Sequence, residues 1–337
     1  RRRTRRSLMR EQLQKWPTTS PIFYELDEFI GNDYELAWKV ESVLDFFARH
    51  TCLQFQRGVA RTPVLYFVQG SGCFSFIGRQ YKSSRQVISI GFNCDKHFGV
   101  IAHEVAHALG MLHEQARPDR DDFVTVNTAN IRASAITQFD KVSRPLFCDP
   151  PTIKMEYGSV MHYSATMAAI DDRKLSIIPS DARHTRTMGQ RMKPTFIDIL
   201  QLNRHYGCQG HCAGQTPTCL FGGVPHPRLC GRCLCADGFT GRFCSRVDTG
   251  TTANPECGGV VQAGHLWRDL HGVVQSHMAD SSSDFLFYPE MCWWHIKAPV
   301  GFRVLLRIVE IDSVCIPSCA YNNVEVKLGS FEYTGFR

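Results

Sequence analysis

The residues His103, Glu104, His107, Gly110 and His113 form the spaced pattern H-E-x-x-H-x-x-G-x-x-H. Residues four apart lie on one face of an α-helix, so the first two imidazoles can reach one metal ion. Glycine permits the backbone conformation that ends the helix and turns the chain, which brings His113 to the same point. Three neutral imidazoles with an open fourth position are typical of a catalytic zinc site rather than a structural one. The pattern predicts a zinc-binding helix and turn, with Glu104 facing the water that the metal activates.

The residues around this pattern favour a helix. Apolar side chains recur at helical spacing at Phe98, Ile101, Val105, Leu109 and Leu112. A pair of histidines four apart also occurs as ordinary surface or core residues. The glycine and the third histidine at fixed offsets argue against that alternative.

A second motif, Ser159-Val160-Met161-His162-Tyr163, lies downstream. An isolated methionine is usually core filler, but metzincin proteases carry a methionine turn below the zinc. Together with His113-Glu114 and the following R-x-D-R-D at 117–121, this turn resembles the astacin family of metzincins over residues 7–208. The resemblance implies that Met161 underlies the metal. It also implies that Tyr163 is a further zinc ligand, able to swing away and stabilise the transition state.

The fold class expected from this resemblance is α+β, with a two-lobed catalytic domain and a substrate cleft between the lobes. The sequence predicts a helix from about Leu36 to His50, with Asn32 and Glu35 as its capping pair. Strands are expected at 64–68 and 87–90, a turn at 70–73, and a last helix at 195–206 that ends at Gly207.

Fifteen cysteines indicate an oxidising compartment, and hence a secreted, extracellular protein. Four lie in the first 150 residues and eleven between Cys208 and Cys319, which predicts small disulfide modules after a larger enzyme domain. The astacin resemblance implies the pairs Cys52–Cys208 and Cys73–Cys94. Cys148 matches neither pair.

Residues 209–245 resemble an EGF-like module, which implies the pairs Cys212–Cys230, Cys219–Cys233 and Cys235–Cys244. The rival interpretation, zinc held by Cys230 and Cys233 with their neighbours, is disfavoured by the oxidising context. Residues 246–256 have a linker composition.

Residues 257–337 resemble a CUB domain, an all-β sandwich that is expected to be truncated here. A Cys257–Cys292 bridge is expected, while the pairing of Cys315 and Cys319 stays open. Asn322 stands where calcium-binding CUB domains usually have aspartate, which weakens the case for a calcium site. Arg303 to Ile311 is predicted to be a largely buried strand.

The net charge of +6 comes almost wholly from five arginines among the first six residues. A nucleic-acid patch is one interpretation of such a run, but the remainder is nearly neutral. We favour residues 1–6 as the end of a prosegment that a paired-basic protease cleaves. The resemblance then implies that Ser7 becomes a buried N-terminus contacting Glu114; the alternative for Glu114 is a solvated surface carboxylate. The sequence contains no apolar run long enough to span a membrane.

The expected activity is zinc-dependent peptide hydrolysis, with Glu104 as the general base and Tyr163 supporting the oxyanion. Astacin–EGF–CUB order resembles tolloid-like and nematode cuticle procollagen C-proteinases, which prefer Asp after the scissile bond. Arg191 matches the residue that supplies the pocket cation there; Arg183, Arg186 and Lys193 are nearby rivals. Extracellular matrix precursors such as procollagen are the expected partners. Two alternatives remain: a broad-specificity digestive or hatching protease, and an inactive matrix-binding protein.

Overall fold

The computed structural model describes residues 15–142, 153–250, 257–274, 290–312, 323–328 and 335. The N-terminal half of the catalytic domain is built on a five-stranded sheet of order β2-β1-β3-β5-β4. Its strands are β1 (Ile22–Leu26), β2 (Phe55–Arg57), β3 (Val64–Val68), β4 (Cys73–Ser75) and β5 (Arg85–Ile90). All neighbours are parallel except β4, the antiparallel edge strand. Both predicted strands are confirmed, whereas Cys73 begins a strand rather than ending a turn.

Helices α1 (Glu28–Asn32) and α2 (Tyr34–His50) follow β1. The apolar face of α2 is buried as its periodicity predicts: Leu36, Val40, Val43, Leu44 and Phe47. The predicted capping pair is wrong. Asp33 caps α2 by accepting a hydrogen bond from the Leu36 amide, because Asn32 is the last residue of α1.

Helix α3 (Phe98–Ala108) carries the first part of the histidine pattern and is almost wholly buried. It contacts α2 and strands β4 and β5. The Cys73–Cys94 disulfide joins β4 to the turn that precedes this helix. The five-stranded sheet and helices α1 to α3 form the upper lobe, in which α3 packs against both the sheet and α2.

The lower lobe consists mostly of 3₁₀ turns, with one short antiparallel pair among its described residues, β6 (Val124–Val126) and β7 (Ile177–Pro179). A separate apolar cluster fills it, which includes Phe139, Met155, Tyr163 and Met188. Helix α4 (Phe196–Tyr206) closes the domain, with Thr195 at its N-terminus and Gly207 in the left-handed region at its C-terminus. The limits predicted for this helix are confirmed. The Cys52–Cys208 bridge joins the ends of α2 and α4.

A cysteine-rich module follows, with two antiparallel pairs. These are β8 (Val224–Pro225) with β9 (Cys233–Leu234), and β10 (Phe239–Thr240) with β11 (Arg246–Val247). The second pair extends beyond the predicted module end at 245. The module's disulfides are Cys212–Cys230, Cys219–Cys233 and Cys235–Cys244, the pairs that the resemblance implies.

The last stretch contributes one parallel pair, β12 (Gly259–Gln262) with β13 (Trp294–Lys297), and a Cys257–Cys292 bridge. The predicted strand from Arg303 to Ile311 is wrong: these residues are exposed and lie outside any strand. A sandwich stays a prediction, because the described part of this stretch forms only that one strand pair. Ser7, Cys148, Cys315, Cys319 and Asn322 lie outside the described residues.

Across the portion of the chain that the structure describes, helices are all too short or too polar to cross a lipid bilayer.

Candidate active site

The three histidines of the pattern converge through their Nε2 atoms. Nε2 of His113 lies 3.1 Å from that of His107 and 3.3 Å from that of His103. Two nitrogens that each lie about 2.0–2.1 Å from a tetrahedral zinc ion are roughly 3.3–3.4 Å apart. Within the described ranges, this trio is the one group of metal-binding side chains whose ligand atoms all come this close. The donor set therefore fits a zinc ion.

The second ring nitrogen of two of these histidines is fixed by the backbone. Nδ1 of His103 lies 2.8 Å from the Val160 carbonyl, and Nδ1 of His107 lies 2.8 Å from the Met111 carbonyl. A carbonyl can only accept, so each Nδ1 carries the proton and each Nε2 keeps a free lone pair. This tautomer is the one that metal binding at Nε2 requires.

The turn after α3 brings in the third histidine. Gly110 has φ +101°, a conformation that side chains disfavour, and its amide donates to the His107 carbonyl. The Met111 amide donates to the Ala106 carbonyl, so the chain reverses tightly. The Met111 carbonyl also accepts from His107 Nδ1. The same turn therefore orients His107 and places His113 near it.

Burial keeps the imidazoles neutral. It lowers the pKa of His107 to about 4 and that of His113 to about 3, and it lowers the pKa of His103 well below its usual value. The positive charge of Arg191 acts in the same direction on all three. Neutral imidazole is the form that binds a metal.

Glu104 lies beside the first histidine and is 5% exposed. Burial raises its pKa to about 7, and the charge of Arg191 opposes that rise. A carboxyl group with a pKa near neutrality is suited to take up and release a proton during one reaction.

The methionine turn lies beneath the histidines. Met161 is fully buried, its amide donates to Ser159 Oγ, and its carbonyl accepts from the Glu114 amide. The turn is held from below by Asp198 of α4, which accepts from Ser159 Oγ at 2.5 Å and from the Val160 amide at 2.9 Å. The sequence analysis missed Asp198. The spacing T-x-x-D at its helix start, a capping-box variant, was the available signal.

Tyr163 lies next to the metal ligands, with its ring centroid 4.5 Å from that of His113. Its hydroxyl donates to Gln138 Oε1 at 3.2 Å. Burial raises the pKa of Tyr163 above its usual value, so the hydroxyl keeps its proton. Its predicted role as a further zinc ligand stays a prediction.

Arg191 approaches the site from the segment before α4. Its Nη1 donates to the carbonyls of His162 and Gln190 at 3.0 and 2.8 Å. Burial lowers its pKa to about 10, an effect that the charge of Glu104 partly offsets, so it remains a cation near neutral pH.

The rival cations lie in different surroundings. Arg183 pairs with Asp181, and Lys193 pairs with Asp237. Arg186 is exposed. Of the four basic side chains considered, Arg191 is the one whose charge acts on the histidines and Glu104.

Glu114 is buried and 2% exposed, which excludes a solvated surface carboxylate. Its Oε1 accepts from Arg117 Nη1 at 3.2 Å and from the Glu156 amide at 2.9 Å. The predicted contact with Ser7 lies outside the described residues.

Comparisons with known proteins agree with this geometry. The family model for the astacin family of peptidases matches residues 8–207. Zinc metalloproteinase nas-27 of Caenorhabditis elegans is 35% identical over 99% of this chain and 77% of its own length. Zinc metalloproteinase nas-28 of the same organism is 32% identical, and the chain spans 66% of it. For nas-29 the identity is 35% and the chain spans 53% of its length.

Among solved structures, the chain is similar to high choriolytic enzyme 1, and the match covers 55% of this chain and 88% of the enzyme's chain. It is a hatching enzyme zinc-protease from the medaka fish Oryzias latipes, with 30% identity and a TM-score of 0.49.

Proposed function

Because the chain belongs to the astacin family of peptidases, we propose that it is a secreted endopeptidase that cleaves extracellular matrix precursors, with Asp preferred after the scissile bond. Membership of this family identifies the chain as a zinc metalloproteinase. The proposal concerns where it acts, which peptide bonds it selects and which partners it meets.

One observation carries the proposal: the convergence of three Nε2 atoms, with a buried carboxyl group and a half-buried arginine whose charge acts on them. His103, His107 and His113 would hold the zinc ion. When bound, zinc supplies Lewis acidity that polarises a carbonyl group and makes water a stronger acid.

The chain's own residues would perform the proton transfers. Glu104 accepts a proton from the attacking water at its carboxylate and later gives it to the leaving amine nitrogen. The Tyr163 hydroxyl donates a hydrogen bond to the oxygen on which negative charge develops. The Tyr163 ring lies beside His113, but its hydroxyl is hydrogen-bonded to Gln138, so the hydroxyl must change partner during turnover.

Tyr163→Phe tests this role of the hydroxyl. We expect kcat to fall about 10²-fold, since removal of one oxyanion donor typically costs that much or more. Zinc content, measured by atomic emission, should stay at the wild-type level because three imidazoles remain. A large loss of zinc would show instead that the hydroxyl is mainly a metal ligand.

Selectivity would come from Arg191. A guanidinium beside the reacting groups pairs with a carboxylate in two parallel hydrogen bonds, so it favours substrates with Asp after the scissile bond. This preference would suit a procollagen C-proteinase-like enzyme that processes matrix or cuticle collagens.

Secretion is supported by the six disulfides found among the described residues, since such bonds persist in oxidising compartments. We further propose that residues 7–208 form the protease, 209–245 an EGF-like module, 246–256 a linker and 257–337 part of a CUB domain. Residues 1–6 would be the end of a prosegment cut by a paired-basic protease, so the enzyme would be made as a zymogen.

The proposal is tested with quenched peptides that differ only in the residue after the scissile bond, with and without a zinc chelator. Wild type should cleave Asp peptides best, and chelation should abolish cleavage. In Arg191→Gln the advantage of Asp over Asn should shrink by roughly thirtyfold or more, the equivalent of losing about 2 kcal/mol from one charged contact.

Arg186→Gln, an exposed neighbour, is the matched control and should keep the preference. Chelator-sensitive cleavage without any Asp preference would uphold the assignment as a zinc protease but contradict the procollagen-type substrate. A broad-specificity digestive or hatching enzyme would then be favoured. Absence of cleavage after trimming to Ser7 would favour a matrix-binding protein.

A further inference from the structure

The cysteine-rich module is packed into the catalytic domain at the segment Leu234–Gly238. Leu234 and Ala236 are 8% and 5% exposed and belong to the same apolar core as α2, α3 and α4. A second contact joins Arg228 Nη1 to the Ala48 carbonyl near the end of α2, 2.9 Å away. The module therefore shares a core with the protease.

An ion pair crosses this junction. Nζ of Lys193 in the catalytic domain lies 2.7 Å from Oδ1 of Asp237 in the module. The side chains are only 15% and 30% exposed. Solvent screens such a pair less than one on the open surface, so it can constrain its backbone segments more strongly.

The surroundings of Asp237 favour its charged form. Burial acts to raise the pKa of Asp237, but the charges of Lys193 and Lys327 overcome it and hold the pKa below the usual value. Lys327 Nζ also donates to the Asp237 carbonyl at 3.4 Å. The aspartate is thus a fixed negative group between two cations.

Lys193 is the end of a short segment that Gln190 holds from the inside. Gln190 is buried, and its side-chain Nε2 donates to the backbone carbonyls of Gly158 at 2.7 Å and Lys193 at 2.8 Å. Its Oε1 accepts from the backbone amide of Met192 at 2.8 Å. Gln190 fixes the inner side of the segment and Asp237 fixes its outer end. Arg191 lies between the two anchors.

The backbone of Arg191 is packed directly on the zinc-binding helix. A Cβ atom added to Gly99 of α3 would lie 2.2 Å from the Arg191 carbonyl oxygen, so only glycine fits there. With the backbone in contact with α3, the position of the guanidinium depends on how this segment is held.

We infer that Asp237 of the cysteine-rich module is a positioning residue that, through Lys193, holds the segment carrying Arg191 in register with the zinc site. The module would then take part in substrate selection without touching substrate. This inference rests on the proposed role of Arg191, but the anchoring itself can be measured separately.

The test uses the full chain with Asp237→Asn, which keeps the shape and removes the charge, and Asp237→Glu, which keeps the charge and alters the shape. Hydrogen exchange measured by mass spectrometry follows the amides of Met192 and Lys193. In the Asn variant we expect exchange there to rise about tenfold, the change that 1.4 kcal/mol of local opening gives. The Glu variant should stay close to wild type.

Kinetics supply the second readout. In Asp237→Asn we expect KM for Asp peptides to rise about three- to tenfold, within the range of energetic couplings between distant residues, while kcat on Asn peptides is unchanged. Asp248→Asn, in the linker just after the module, and Arg228→Gln, at the module's other contact with the catalytic domain, are controls that should change neither exchange at this segment nor KM.

The outcomes separate the two ideas. Unchanged exchange in Asp237→Asn overturns the inference, whatever the peptide kinetics show. Equal effects of Asn and Glu also overturn it, because packing rather than charge would then be responsible. Faster exchange in an enzyme whose wild type shows no Asp preference upholds the anchoring and removes the selective role of Arg191.

Discussion

Glu104→Gln is expected to bind zinc and remain folded, yet to lose about 10³-fold or more in kcat/KM, within the range that general acid–base catalysis supplies. Glutamine has nearly the same shape, so the packing of α3 should survive. Its amide, however, cannot accept a proton from water and deliver it to the leaving amine. The loss should fall on kcat, because the substrate contacts do not change.

The measurements are steady-state kinetics on a fluorogenic peptide, zinc content, and thermal unfolding. Glu28→Gln is the control, since Glu28 is an exposed glutamate of α1. Turnover at the wild-type rate in zinc-loaded Glu104→Gln would refute the assignment of the base. Loss of zinc would mean that the variant cannot test it.

The centre of the site could be predicted because its information is local. Four-residue spacing fixes the relative direction of His103 and His107 once a helix forms. Gly110 marks where that helix must turn, and its positive φ bears this out. The ends of α4 could also be predicted locally, because Thr195 caps its N-terminus and Gly207 ends it. In each case the signal and the contact that it produces lie within a few residues.

Errors arose where two local signals compete or where a segment depends on distant partners. Asn32 and Asp33 are both reasonable caps, and only the short helix α1, which uses Asn32 itself, decides for Asp33. Arg303 to Ile311 is apolar enough for a buried strand, but a strand needs a neighbour to satisfy its backbone groups. The described residues give it no strand partner and leave it exposed.

The residues that hold the site in place were not predicted, because they too depend on distant partners. Asp198 meets the methionine turn about forty residues upstream, and Asp237 meets Lys193 across a module boundary. Neither contact has a sequence period or a fixed spacing. The T-x-x-D spacing predicts that Asp198 caps α4, but its bonds to Ser159 and Val160 can be identified only once the chain is folded.

Asp198→Ala should therefore destabilise the fold and weaken zinc binding together. Asp198 is 1% exposed and accepts from Ser159 Oγ and from the buried amides of Val160 and Thr195. Each buried group left without a partner costs about 1–3 kcal/mol, so we expect unfolding free energy, measured in urea, to fall by about 3–5 kcal/mol.

Zinc affinity should fall by about 10- to 100-fold, the usual effect of disturbing a group that orients a metal ligand. The route is physical: Asp198 holds the Val160 amide, and the Val160 carbonyl orients His103. Asp198→Asn should be milder, because its oxygen can still accept from the amides while its NH₂ faces Ser159. Asp33→Ala, which removes the cap of α2, is the matched control and should cost about 1 kcal/mol without changing zinc affinity. If Asp198→Ala destabilised the protein and left zinc affinity intact, the Val160 carbonyl would have to be held by the turn itself, and α4 would support the fold without tuning the metal site.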